Sequence, residues 1–376
     1  MTIFVAAACR TSVAPNGGDF ARLEVARLGS EVIRALLTQT PLSPDVRLEV
    51  IMGNALYGGG NPARVAMLMA GLDIAIPAAT IDTQCCSGLD AIAWGASRIA
   101  SGQADAVIAG GLESYSRAPL RYKRPASSGD SPQFYARPPF TPWLDRDPDL
   151  IASAASLAYQ RNITREQQDV FAVDSHRKAL EANWHEDEIA PVCGIETDTF
   201  SRRLSPALCA RLPSLAGRSP HELTAATIAV EADAAAAVLL VSEKLLSRLK
   251  PKHVPMQLSG SVSRGFDPEQ PALAATSAAA PLLRSMQIAA SDISVVEIME
   301  AFAVQAMTFI DDLNFDASVI NRSGGALARG HPIGASGAIL AVRLFYELQK
   351  ENRGAKGLAA IAAAGGLGSA LLMERA

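Results

Sequence analysis

The sequence predicts an α/β protein, with mainly parallel sheets covered by helices. Three observations lead to this. Short apolar runs alternate with stretches of helical spacing through residues 1–115, and again after Asp233. Between Leu89 and Ala100 the residues Leu89, Ile92, Ala93, Trp94, Ala96 and Ile99 leave almost no polar stripe. A helix apolar nearly all round belongs between two layers rather than on the surface. The second half also repeats the element order of the first, without strong sequence identity between them.

The elements follow in order. Ile3 to Ala8 is a strand, Leu23 to Thr38 has helical spacing, and Val50-Ile51-Met52-Gly53 is a short buried run. Asn61 to Ala70 is helical, and Ala104 to Ala109 is a strand ending in Gly110-Gly111. From Ser116 to Glu222 prolines and charges concentrate, with Pro125, Pro132, Pro138, Pro139, Pro142 and Pro148 close together. Ser153 to Trp184 is helical and polar, with Thr164 an N-cap candidate before Arg165-Glu166-Gln167-Gln168. An insertion of this length is usually functional or interfacial. Ala234 to Val241 and Ile293 to Ile298 are strands, the latter followed by a helix from Glu300 to Leu313. Leu358 to Ala364 and Leu367 to Met373 flank Gly365-Gly366 as a closing pair of strands. The predicted division is a first unit of residues 1–115 with 222–246, an inserted unit 116–221, and a second unit 247–376.

Composition narrows the function. Of 376 residues, 49% are hydrophobic and 19% charged, enough for large cores. A net charge of -4 gives no broad footprint for nucleic acid or anionic lipid. The basic stretch Arg117-Ala118-Pro119-Leu120-Arg121-Tyr122-Lys123-Arg124 reads either as a solvated loop or as a clamp for an anionic ligand such as a nucleotide phosphate. Cys9, Cys85, Cys86, Cys193 and Cys209 make an odd count without paired spacing. That argues against a disulfide framework and a zinc site, and for a reducing, cytoplasmic setting. The N-terminus has no basic n-region and reads as a strand, not a signal peptide. No apolar run nears the ~20 residues of a membrane span.

Two segments carry chemistry: Gln84-Cys85-Cys86-Ser87-Gly88-Leu89, and Gly330-His331-Pro332-Ile333-Gly334-Ala335-Ser336-Gly337. With Gly110-Gly111-Leu112-Glu113-Ser114, Ile163 to Asp169, Ser175 to Ala179, and Asn54 through Arg64, they resemble the thiolase family, in order and over almost the whole chain. The resemblance implies two similar βαβαβαββ halves stacked as five layers, α-β-α-β-α, with a loop domain inserted into the first. It implies acyl-CoA thioesters as substrates, coenzyme A as substrate or product with no tightly bound cofactor, no metal, and a homodimer or homotetramer.

Thioester chemistry needs a nucleophile that also leaves well, and a thiolate is both. Its pKa of about 8.5 has to fall, which a helix N-terminus and a histidine can bring about. The family's C-x-S-G-L pattern selects Cys85 as the nucleophile, at the start of the buried helix, and leaves Cys86 a small buried hydrophobe. By the same resemblance His331 takes the Cys85 proton and helps hold a thioester oxyanion. Its loop leads into a helix at about Ala335, and Gly330, Gly334 and Gly337 are expected to let backbone approach a ligand. His176, His185, His221 and His253 lack such surroundings and read as surface or structural residues.

Other positions depart from the family. Its Asn-Glu-Ala-Phe element reads Met299-Glu300-Ala301-Phe302, and a thioether has no N–H to donate. Its second catalytic cysteine aligns with Ala362, which can neither take nor give a proton. Backbone N–H groups of Cys85 and Ala364 remain for one oxyanion hole. In the coenzyme A loop, Thr224 to Ala235, the pantetheine-contacting serine is Ala229, and the insertion's Met-Gly element starts at Leu150. Leu150, Ala229 and Phe302 are the expected pocket residues. These residues imply an acyltransferase that forms acyl-Cys85 but is weak in carbon–carbon chemistry. The alternatives are acyl hydrolysis or transfer without such chemistry, or a non-catalytic subunit of a larger assembly.

Overall fold

The structure, a computed structural model, describes residues 1–376. The first half runs β1 (Ile3–Arg10), α1 (Val25–Gln39), β2 (Leu48–Gly53), α2 (Pro62–Met69), β3 (Ala78–Ile81), α3 (Ser87–Ala100) and β4 (Ala106–Glu113). The insertion carries α4 (Leu150–Gln160) and α5 (Arg165–Glu181), and the half closes with β5 (Ala232–Ser242). The second half runs β6 (Met256–Gly265), α6 (Ala274–Ser285), β7 (Ile293–Ile298), α7 (Ala303–Leu313), α8 (Ile333–Leu348), β8 (Lys356–Ala363) and β9 (Leu367–Arg375). Both halves are therefore βαβαβαββ, with the third strand of the second half reduced to a single bridge between Val296 and Ile320.

Strand order is β1-β5-β4-β2-β3 in one half and β6-β9-β8-β7 in the other. The two meet only where Phe4 and Val5 pair with Gln257 and Met256. The expectation of mainly parallel sheets is corrected. Only β2–β3, β2–β4 and β7–β8 are parallel, while β5 runs antiparallel between β1 and β4, and β9 antiparallel between β8 and β6. For β8 and β9 the cause is local: they are joined by a tight turn through Gly365 and Gly366, at φ +77° and +74°, and a hairpin needs no crossover helix.

Alternation along each strand makes three cores and hence five layers. Val107, Ala109, Val238 and Leu240 point inward with Ile361 and Leu371, enclosing Leu89 and Ile92 of α3 and Leu340 and Leu344 of α8. Ile108, Leu239 and Val241 point outward onto Leu28, Val32 and Leu36 of α1. Leu358 and Leu372 point outward onto Leu282 of α6 and Phe309 of α7. The helix after Cys85 is thus interior, although Trp94 at one edge stays 50% exposed.

Several boundaries differ from the sequence reading. β4 does not stop at Gly110-Gly111 but runs through to Glu113. A Cβ on Gly111 would lie 1.9 Å from the Gly334 carbonyl oxygen, so this glycine serves strand–helix approach, not a turn. α7 starts at Ala303 rather than Glu300. The Glu300 carboxylate is engaged outside the helix, accepting from Ser175 Oγ at 2.7 Å, Asn321 Nδ2 at 2.6 Å and the Leu327 N–H at 3.2 Å. The capping box at Thr164 is formed, with Gln167 as its reciprocal partner.

The end of the insertion is locked to the body by buried charge. Arg10 donates to Glu188 at 2.8 Å and to Asp198 at 2.7 Å, and Arg343 bonds both Glu188 and Glu347. Trp184 lies within 6.0 Å of the guanidinium carbons of Arg10, Arg329 and Arg343. No helix is long and apolar enough to cross a membrane.

Candidate active site

Cys85 occupies a single 3-10 turn, Gln84–Cys86, wedged between β3 and α3. Gln84 has φ +55°, a left-handed conformation rare for a side-chain residue. The Asp82 carboxylate accepts from the Gln84 backbone and side chain at 2.8 and 3.0 Å, and Ser87 Oγ donates to the Gln84 carbonyl at 2.6 Å. α3 can then start with almost no side chain between it and α8. A Cβ at Gly88 would meet Ala338 N at 2.7 Å, and one at Gly337 would meet Leu89 N at 2.6 Å. Gly334 likewise abuts Asn54, at 2.6 Å from its Cα. Gly334 and Gly337 therefore serve contact between protein backbones. The expectation that they open space for a ligand is corrected, because the two interior helices have to approach this closely to bring their N-termini together.

That approach brings the nucleophile and base segments into contact. His331 Nε2 lies 3.3 Å from Cys85 Sγ, and His331 Nδ1 lies 2.7 Å from Ser336 Oγ, which itself donates to the Pro332 carbonyl at 2.9 Å. The His331 N–H donates to the Val230 carbonyl at 2.7 Å, in the loop that precedes β5. The same loop is tied to the β7–α7 turn, with the Ala229 N–H donating to Ala301 and the Ala303 N–H to Thr227, at 3.0 and 2.9 Å. Glu113, at the end of β4, accepts from Gly334 N–H at 3.0 Å, Ala55 N–H at 2.9 Å and Asn54 Nδ2 at 2.8 Å. The sequence reading noted Glu113 only as part of a motif; in the structure it fastens the first turn of α8, beside the histidine.

Electrostatically, desolvation disfavours charge on both members of the pair. Burial pushes the Cys85 thiol up to about 12, although the N–H groups of Ala364 and of Cys85 itself oppose the rise. Burial pulls His331 down to about 4. Desolvation works against a resting thiolate, and the His331 imidazole is placed to take the thiol proton.

Cys85 and His331 open onto one cavity of about 120 Å³ with Leu150, Ala229, Phe302, Ala362 and Ala364, all of them residues the sequence had marked. Met299 is not in the wall. It is 1% exposed and packs in the core between the sheets. Cys86 is buried, with its sulfur 3.7 Å from the Ile361 carbonyl oxygen. The sequence reading missed Pro271, Ala272 and Gln305, which complete much of the lining with Ser153 and Ile228 of the segments it had marked. Of these only Gln305 had a readable signal: a polar residue one helical turn beyond Phe302.

The remaining candidates lie elsewhere. Arg117 pairs with Glu24, and Arg121 donates to the Leu56 carbonyl at 2.9 Å, so half of the basic stretch serves internal contacts. His176 and His221 are buried, each within 3.3 Å of a backbone polar atom. His185 and His253 gather around Asp187, but the Lys252 ammonium already lies 2.7 Å from that carboxylate.

Comparisons with known proteins cover nearly the whole chain. The family model described as "Thiolase, N-terminal domain" matches residues 3–244, and "Thiolase, C-terminal domain" matches residues 253–375. The chain is 37% identical to YhfS of Bacillus subtilis (strain 168) over 92% of each protein. It is 35% identical to a protein of Chromobacterium violaceum named acetyl-CoA acetyltransferase, over the full length of both. The crystal structure of the Bacillus anthracis acetyl-CoA acetyltransferase superposes with a TM-score of 0.90 at 28% identity, covering 100% of this chain and 99% of that one.

Proposed function

The chain belongs to the thiolase family, and from that premise we propose that it is an acyltransferase acting on acyl-CoA thioesters through an acyl-Cys85 intermediate. Cys85 Sγ attacks the thioester carbonyl while His331 Nε2 takes its proton. The backbone N–H groups of Cys85 and Ala364 hold the oxyanion. The carbon–sulfur bond to coenzyme A then breaks, and the departing thiolate takes the proton from His331. Leu150, Ala229 and Phe302 shape the pocket for the acyl end. The observation that carries this reading is the 3.3 Å approach of His331 Nε2 to Cys85 Sγ at the wall of a shared cavity.

Carbon–carbon condensation or thiolysis is the weak half of the reaction in this proposal. Position 362 offers a methyl group where an acid/base is needed, a loss on the order of 10²–10⁴-fold. Met299 has no N–H for a second oxyanion hole, which costs about 10²–10³-fold. Ala362 specifically favours a second reading, hydrolysis or acyl transfer without carbon–carbon chemistry, because neither needs an α-proton.

The test is intact-mass measurement after incubation with acetyl-CoA and longer acyl-CoAs. The wild type is expected to gain an acyl adduct that Cys85→Ala lacks. No adduct with any thioester, together with no coenzyme A binding, would favour a non-catalytic subunit instead. We also propose a homo-oligomer. β3 is an open sheet edge, and the adjoining α2 exposes Val65, Leu68 and Met69. Sedimentation as a monomer would overturn that part.

A further inference from the structure

The cavity beside Cys85 contains a polar side chain that no protein group satisfies. Four of its lining residues carry polar side chains, namely Cys85, His331, Ser153 and Gln305. The first two face each other at 3.3 Å, and Ser153 Oγ donates to the Glu269 carbonyl at 3.0 Å. Gln305 is only 3% exposed, and its side-chain amide makes no hydrogen bond to the protein; only its backbone N–H is engaged, with Phe302 at 3.1 Å. Its amide atoms are not sealed from water, and its two donor hydrogens and acceptor oxygen can be met by a ligand or water in the cavity. The rest of the lining is alanine, leucine, isoleucine, proline and phenylalanine. Gln305 sits in the first turn of α7, and the turn that leads into α7 is tied to the loop that holds His331.

We infer that Gln305 orients the acyl acceptor, and that the preferred acceptor is a nucleophile bearing two hydrogens, water or a primary amine. This rests on the acyl-Cys85 reading above and specifies its second half-reaction. One hydrogen of the acceptor goes to His331 Nε2 and the other is held by Gln305 Oε1, so that a lone pair faces the thioester carbonyl. The new bond forms from oxygen or nitrogen to the acyl carbon, the carbon–sulfur bond to Cys85 breaks, and the proton taken by His331 returns to the leaving thiolate. The products are the free acid or an amide, with Cys85 regenerated as a thiol. A glutamine that orients an attacking water is an established catalytic device. Here it would supply orientation at a cavity whose wall offers only a methyl group at Ala362.

The experiment separates the two half-reactions. Wild type, Gln305→Leu and Gln305→Glu are acylated with acetyl-CoA and freed of coenzyme A, and loss of the adduct is followed by intact mass. The solution holds water alone, added ethanolamine, or added dithiothreitol. Gln305→Leu is expected to acylate within about 3-fold of wild type but to release the acyl group on the order of 10²-fold more slowly to water and to ethanolamine. Gln305→Glu, which keeps an acceptor oxygen, should recover most of that loss. Release to dithiothreitol, whose thiol has a single hydrogen, should change little between variants. Release from Gln305→Leu at the wild-type rate would overturn the inference alone, as would an equal loss of acylation and release. A wild type that never acylates would overturn the acyl-enzyme reading and this inference with it.

Discussion

At the scale of residues, the site pairs a half-buried thiol with a half-buried imidazole, and desolvation disfavours charge on both. This sets an expectation for reactivity. Alkylation of Cys85 by iodoacetamide should climb steadily from pH 6 to pH 9.5, because burial holds the thiol up to about 12. A plateau below pH 7, measured by quenched mass spectrometry, would instead reveal a resting thiolate–imidazolium pair. The second expectation concerns what the site lacks. Ala362 lines the cavity at the end of β8, so Ala362→Cys places a thiol where the α-proton of a bound acyl group can be reached. Condensation of acetyl-CoA, followed by acetoacetyl-CoA absorbance, should rise on the order of 10²-fold in that variant. No rise would mean that the barrier lies elsewhere, for example at Met299.

At the scale of elements, the site depends on how closely α3, α8 and β4 approach. Gly88, Gly111, Gly334 and Gly337 make that approach possible, and each leaves no room for a Cβ. Gly334→Ala would push on Asn54 at 2.6 Å from its Cα and on the Glu113 carboxylate at 3.0 Å. It is expected to cost about 1–3 kcal/mol in a denaturant melt. It should also slow acylation on the order of 10²-fold by displacing the His331 loop. Wild-type acylation in a stably folded Gly334→Ala would show that the loop does not depend on this contact.

At the scale of the whole molecule, the interior of the second half holds a carboxyl group that no hydrogen bond satisfies. Glu297, on β7, is fully buried, and neither carboxylate oxygen has a hydrogen-bond partner. Burial raises it from 4.5 to about 7, against the pull of Arg343 and Arg329. The native state therefore keeps a proton that the unfolded chain releases near 4.5. Its stabilising effect is complete below that pH and is lost as pH rises through about 7. Glu297→Gln should flatten the stability profile between pH 4.5 and 7, and be more stable than wild type at pH 8 by up to about 3 kcal/mol. Urea melts across that range that remain parallel for the two proteins would refute this.

Much was legible from residues alone. Leu89 to Ile99 is apolar on every side, so an interior helix and a layered fold followed. The glycine-rich histidine loop and Cys85-Cys86-Ser87-Gly88-Leu89 pointed to the nucleophile and base, which lie 246 positions apart in the chain. Strand direction was not legible, because an apolar run such as Ala234 to Val241 looks the same whether its neighbours run with it or against it. The desolvation of Cys85 was not legible either, because it depends on everything packed around the sulfur. Met299 was expected at the reaction centre, but a long thioether after β7 finds its place in the core.

The sequence by itself determined the proposed nucleophile and base, and the methyl group where the family has a second thiol, because these are matters of which atoms a side chain carries. Only the tertiary structure decided that the Gln305 side chain is left without a protein partner, that Met299 lies in the core rather than in the cavity wall, and that the glycines of α3 and α8 serve packing. Each of these depends on which surfaces meet in space, and proximity between residues so far apart in the chain exists only once the layers have closed.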